Sequence, residues 1–153
     1  MSDIVHKPGY MMSVLNNKCP RCRIGNIYED PNPYHLKKVL KMNHSCPTCG
    51  QPTEIEVGFY YGTAYVSYFI SILVCVASFI LWWLIIGFSL DDSRLFWWVG
   101  INAVLLIFLQ PVLMRLSRTL WLSWFVNYDP YWKEREIDKS KLERIVPEQM
   151  GNW

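Results

Sequence analysis

The sequence predicts a helical membrane fold: a two-helix transmembrane hairpin that carries a small zinc-ribbon-like module before it and an interfacial, charged helical tail after it. Three observations lead there. The segments Ala64 to Leu90 and Leu95 to Met114 contain no Asp, Glu, Lys or Arg. The composition is 52% hydrophobic and 16% aromatic against only 18% charged, a balance that suits a bilayer better than an ordinary soluble core. Two Cys-x-x-Cys pairs, Cys19/Cys22 and Cys46/Cys49, stand together ahead of the first apolar run.

Residues 1–17 show no hydrophobic period and contain the turn signal Pro8-Gly9, so they are expected to form a loosely ordered arm. Residues 18–57 are turn-rich and cysteine-paired, with a break at Pro31-Asn32-Pro33 and a short helix expected over Tyr34 to Met42. This segment is the expected ribbon. Residues 58–114 are the expected hairpin, with helices over 64–90 and 95–114. As a helix the first run spans roughly 40 Å and the second about 30 Å, against a hydrocarbon core of about 30 Å. Tyr60, Tyr61, Tyr65 and Tyr68 at one end and Trp82, Trp83, Trp97 and Trp98 at the other occupy places where amphipathic rings meet headgroups. Asp91-Asp92-Ser93-Arg94 supplies the polar turn.

Residues 115–132 are apolar again over Leu116 to Val126, too short to cross, and hold Arg118, Trp121, Trp124, Tyr128, Tyr131 and Trp132. The expectation is an interfacial aromatic segment. Residues 133–153 form a charged tail, with a polar helix from Lys133 that stops before Pro147.

Of the 15 Lys and Arg residues only Arg94 lies in the turn, and the positive-inside bias then places both termini in the cytoplasm. Nothing before residue 63 reads as a secretory signal, in keeping with a cytoplasmic N-terminal region and reduced thiols. A net charge of +2, with the basic residues in two flanking blocks, is too small to imply a nucleic-acid partner, and none is expected; the lipid bilayer is the expected one.

The two cysteine pairs carry the chemistry. A two-residue gap turns both sulfurs of a knuckle toward one ion, and four thiolates close a tetrahedral site with no open position, so Cys19, Cys22, Cys46 and Cys49 are expected to hold a structural Zn2+. Gly50 follows the second pair, where a positive φ is useful, whereas Arg23 holds that position in the first. Lys18, Arg21 and Arg23 are expected to offset the thiolate charge. A dithiol redox pair or an iron–sulfur site stands as the alternative use of these cysteines. His44 is close enough in sequence to Cys46 to replace a ligand. Cys75 is expected to pack, as part of a small-residue stripe with Ala64, Ser67, Ser71 and Ser78. Gly100 and Ala103 would face that stripe, Asn102 and Gln110 would turn inward, and Gln110-Pro111 would bend the second helix.

These residues resemble the family called domain of unknown function 983, small bacterial membrane proteins with N-terminal cysteine knuckles. The resemblance rests on Cys19-Pro20-Arg21-Cys22-Arg23-Ile24-Gly25, on Pro31-Asn32-Pro33-Tyr34, on Cys46-Pro47-Thr48-Cys49-Gly50, and above all on Glu56-Val57-Gly58-Phe59-Tyr60-Tyr61-Gly62 running into Tyr65-Val66-Ser67-Tyr68. It extends from Lys18 to Trp132 and is similar to the form found in Bacteroidota, where Ala and Met often stand at the positions of Thr63 and Ala64. The resemblance implies no settled activity, and through some proteobacterial relatives it implies a place in respiratory-complex assembly.

With no catalytic constellation and no identifiable small-molecule substrate, the expected function is a non-catalytic, zinc-binding adaptor or accessory subunit. It would sit in the inner membrane against an integral-membrane partner. A redox-active thiol or metal-delivery protein of respiratory oxidase assembly is the alternative.

Overall fold

A computed structural model describes residues 9–87 and 93–137. Among these residues the chain is helical and has no strand: α1 (Tyr10–Leu15), α2 (Thr63–Ile86) and α3 (Arg94–Phe125), with short 3-10 turns at Leu36–Lys38 and Phe59–Gly62.

The 24-residue α2 draws on an unbroken apolar run and stops at Gly87, whose φ is 81°. At helical rise it is about 36 Å long and the 32-residue α3 about 48 Å, so both are long and apolar enough to span a membrane. They pack antiparallel. Asn102 is buried between them, donating to Cys75 Sγ at 3.3 Å and accepting from Ser78 Oγ at 2.8 Å. The Phe79 and Trp98 rings meet edge to face one turn nearer the polar connection.

The small-residue stripe is therefore used in part. Cys75 and Ser78 meet Asn102, but Gly100 and Ala103 are exposed, since they lie roughly 200° and 100° around the helix from Asn102. Gln110 is also exposed, but it lines a cleft whose other wall is α2 at Ser67, Tyr68 and Ser71. α3 continues as helix through Pro111.

Three expected boundaries move. Residues 115–125, expected as a separate interfacial segment, instead prolong α3 without interruption, because Arg115, Ser117, Arg118, Thr119 and Leu122 bury against the cysteine module. The helix expected over Tyr34 to Met42 shrinks to Leu36–Lys38, because the carbonyls of Lys38, Val39 and Leu40 accept from Arg115 and Arg118. Residues 10–17 of the expected arm are ordered. α1 ends in a Schellman motif, with Asn17 at φ 53°, Lys18 N–H on Ser13 O and Asn17 N–H on Val14 O. It is tied to α3 by Tyr10 OH to Ser123 Oγ and by Thr119 Oγ to Asn17 Oδ1, both 2.9 Å. The polar helix expected from Lys133 is not formed over residues 133–137, which make a turn; residues 1–8, the end of the first apolar run at 88–90 and residues 138–153 lie outside the described residues.

The cysteine module has single antiparallel bridges where strands would be: Lys18 with Asn26, Tyr28 with Met42 and Ser45 with Pro52. Its core is Cys19, Cys22, Ile27, Tyr28, Cys46, Phe59 and Tyr60, completed by Leu122 and Val126 from the end of α3. A segment this small cannot bury enough apolar surface alone, and α3 supplies the missing wall.

Candidate metal centre

Each knuckle is a turn folded around its own cysteines. Cys19 N–H donates to Gly25 O at 2.8 Å and Arg23 N–H to Cys19 O at 2.7 Å; in the second, Cys46 N–H donates to Gln51 O at 2.8 Å and Gly50 N–H to Cys46 O at 2.9 Å. The residue after the second cysteine is left-handed in both, Gly50 at φ 70° and Arg23 at φ 58°. Gly adopts this conformation freely, whereas Arg23 does so at a cost of about 1 kcal/mol. Its guanidinium lies 4.3 Å over the Tyr128 ring, a contact that helps to offset the strain.

The four sulfurs converge. All lie within 4.8 Å of one another, with Cys19 to Cys49 at 3.7 Å and Cys22 to Cys46 at 3.8 Å. Four thiolates placed about 2.3 Å from a central ion would stand about 3.8 Å apart, so the donor set fits a tetrahedral metal ion. Cys19, Cys22 and Cys46 are buried and Cys49 half-buried. Gly25 N–H donates to Cys22 Sγ at 3.5 Å, a contact of the kind that stabilises a ligating thiolate.

The thiols also polarise one another. Hydrogen bonding with Cys19 lowers the Cys22 thiol to about 6 and brings the Cys46 thiol well below its ordinary range, while Cys19 is held protonated by the same contacts. Cys19 and Cys49 thus keep their protons beside two more acidic thiols, and a bound cation would take the place of those protons.

His44 is not in the cluster; its carbonyl accepts from Thr53 N–H and it lines a neighbouring cleft. The three cations expected to balance the thiolates have other tasks as well. Lys18 Nζ donates to Asn26 Oδ1 at 2.6 Å. Arg21 is buried, donating to Arg135 O at 2.6 Å and pairing with Asp129 at 3.6 Å, which ties the C-terminal segment to the first knuckle.

The residues that seat the module were not recognised in the sequence. Arg115, 1% exposed, donates to Val39 O at 2.8 Å, Asp30 O at 2.9 Å and Lys38 O at 3.5 Å, with its guanidinium 4.6 Å from the Tyr28 ring. Tyr28 OH donates back to Arg115 O at 3.1 Å. Arg118 lies 4.9 Å over the Tyr60 ring and donates to Leu40 O at 3.4 Å. Tyr60, expected in the aromatic belt, is instead core and donates to Thr53 O. Trp121 Nε1 donates to Phe59 O at 2.9 Å, and its ring lies so close over Gly62 that a Cβ there would collide with it. The block around Gly58 to Gly62 is thus a junction between the cysteine module and both long helices.

Fold and site together define a class: a four-cysteine module with metal-ligating geometry, seated on the end of an antiparallel pair of long apolar helices. The family described as protein of unknown function (DUF983) matches residues 36–125, more than half of the 153 residues, and the chain belongs to it. The matched stretch holds Cys46, Cys49, both long helices and Arg115, and begins after Cys19 and Cys22. No curated protein and no solved structure matches the chain.

Proposed function

We propose that the chain is a membrane-anchored, non-catalytic zinc module that serves as an accessory or assembly subunit of a larger inner-membrane complex. The observation that carries this reading is the seating of the cysteine module on α3. Arg115 binds three carbonyls of the module, and the end of α3 completes its core, so a partner meets one rigid surface and not a tethered domain.

Several features support the membrane part. Phe69, Leu73, Leu84, Phe96, Ile107 and Phe108 all point outward from the helix pair, more apolar surface than a soluble monomer presents. Tyr61, Tyr65 and Tyr68 are exposed around the start of α2, at the level of an aromatic belt. The distribution of Lys and Arg favours both termini in the cytoplasm. Zinc is favoured by a closed set of four thiolates, and in such a site it contributes to folding rather than reaction.

A second reading, a redox-active thiol or metal-delivery protein in respiratory oxidase assembly, draws on Cys49. It is half-buried and lines an open cleft with Arg21 and Lys133, the side from which a metal would leave.

The test is purification of the tagged chain from native membranes in mild detergent, with mass spectrometry and metal analysis on one sample. A stoichiometric integral-membrane partner with about one zinc per chain is expected. A lone zinc-loaded chain removes the accessory role, and thiols alkylated at once without chelation favour the second reading.

A further inference from the structure

The turn Leu36–Lys38 does not fold into the module core. Leu36 is 72% exposed and forms one wall of an apolar groove of about 400 Å³. The other wall is α3, from Leu106 and Ile107 past Gln110 to Met114. Helical rise sets Leu106 about 12 Å along the axis from Met114, so the groove runs from the module's edge into the apolar stretch of α3.

The same turn carries Lys37 and Lys38, both exposed. The neighbouring basic groups are engaged: Lys41 pairs with Glu29 at 3.0 Å, His35 with Asp30, and Arg115 with backbone carbonyls. Lys37 and Lys38 form no ion pair among the described residues. The apolar slot therefore adjoins a turn that carries two exposed cations, Lys37 at the edge of the neighbouring cleft with Glu29 and Glu54 and Lys38 within the field of Asp30, and Gln110 places an amide on the slot's wall in an otherwise apolar part of the helix.

The geometry points to a site for one anionic phospholipid, its acyl chain in the groove between Leu36 and α3 and its phosphate on Lys37 and Lys38. The match is of charge and polarity together. An acyl chain covers Leu36, Leu106 and Ile107; an ester carbonyl accepts from the Gln110 amide, which has poor alternatives in lipid; and the phosphate takes the two cations. This inference rests on the membrane reading given above.

The test uses the full chain, purified in mild detergent, stripped of lipid and titrated with phosphatidylglycerol or phosphatidylcholine, with bound lipid counted by native mass spectrometry. The expected result is one phosphatidylglycerol held about 5- to 30-fold more tightly than phosphatidylcholine, since each basic residue at a membrane surface contributes about fivefold. K37A/K38A abolishes that preference with metal content unchanged, and Leu36→Gln weakens both lipids. Equal binding of the two lipids by the wild type, retention of the preference by K37A/K38A, or competition by inorganic phosphate as strong as by lipid would each overturn the site. A dimer that Leu36→Gln dissociates would assign the groove to a second copy and overturn it too. Flotation with vesicles separates the two claims: a chain that does not float ends the membrane reading and this site together, whereas one that floats without lipid preference ends this site alone.

Discussion

α3 is one helix with two different surroundings. Up to Met114 it buries Asn102, Pro111 and Leu113 and turns most of its remaining apolar side chains outward. From Arg115 it buries two arginines, a serine and a threonine together with Leu122. The apolar half is exposed and the polar half is buried, the reverse of a soluble helix. This inversion is what a chain needs when lipid covers one half and its own cysteine module the other. It also gives Arg115 a double identity: the first cation after an apolar run, and a buried group that satisfies carbonyls for which no regular helix or strand provides partners.

The comparison breaks most sharply at the metal. Cys46→Ser removes one of four ligands, and structural zinc in such modules contributes roughly 10 kcal/mol or more to folding. Metal content should fall to near zero and residues 18–57 should become open to protease, while the helix pair before Met114 stays resistant. Cleavage within 94–114 at the same rate would show that the two halves do not have separate supports.

Next in size is Arg115→Ala, which strands the carbonyls of Asp30 and Val39 in a buried place. A loss of about 3–5 kcal/mol is expected in denaturant unfolding of the module, read by hydrogen exchange at Asn43, whose N–H donates to Ile27 O. Arg115→Lys keeps the charge but not the planar fork and should recover only part of that loss. If Arg115→Ala leaves the module's stability unchanged, the seat is not held by this residue.

The module also has a pH signature. Burial pushes the Tyr28 phenol above its ordinary value near 10, so its neutral form is favoured in the fold. Its contribution is complete below the unfolded value and is lost as pH rises beyond it, at roughly 1.4 kcal/mol per pH unit. Tyr28→Phe should flatten that decline above pH ~10 while costing about 1 kcal/mol at neutral pH through the lost bond to Arg115 O. Parallel alkaline slopes in the two proteins would rule the phenol out as the cause.

The smallest effect belongs to the apolar half. Asn102→Ala removes the contacts to Ser78 and Cys75, worth about 0.6–1.7 kcal/mol in a membrane helix pair. Unfolding in micelles should shift by that amount, with metal content unaffected. A drop in metal would mean that strain passes from one half to the other.

How much of this was legible in the sequence follows the same division. The apolar runs announced both long helices, because transfer to lipid depends on composition over about 20 residues, and the paired cysteines announced the four-sulfur cluster, because knuckle spacing is local. The seat was not legible. Arg115 and Arg118 after an apolar run read the same whether headgroups or protein carbonyls accept their hydrogen bonds, and only docking decides between them. The Tyr34 to Met42 stretch has helical content that lost to this docking. One signal was available: Arg115, Thr119 and Leu122 fall on one helical face, a stripe that continues past the apolar run and asks for a partner.

The most direct test of that shared seat is hydrogen exchange on the full chain in lipid, before and after removal of the metal by a chelator. The result expected is joint loss of protection at Ile27, Asn43 and residues 115–125, with residues 96–113 unchanged. Loss confined to residues 18–57, with 115–125 still protected, would contradict a single unit of module and helix end.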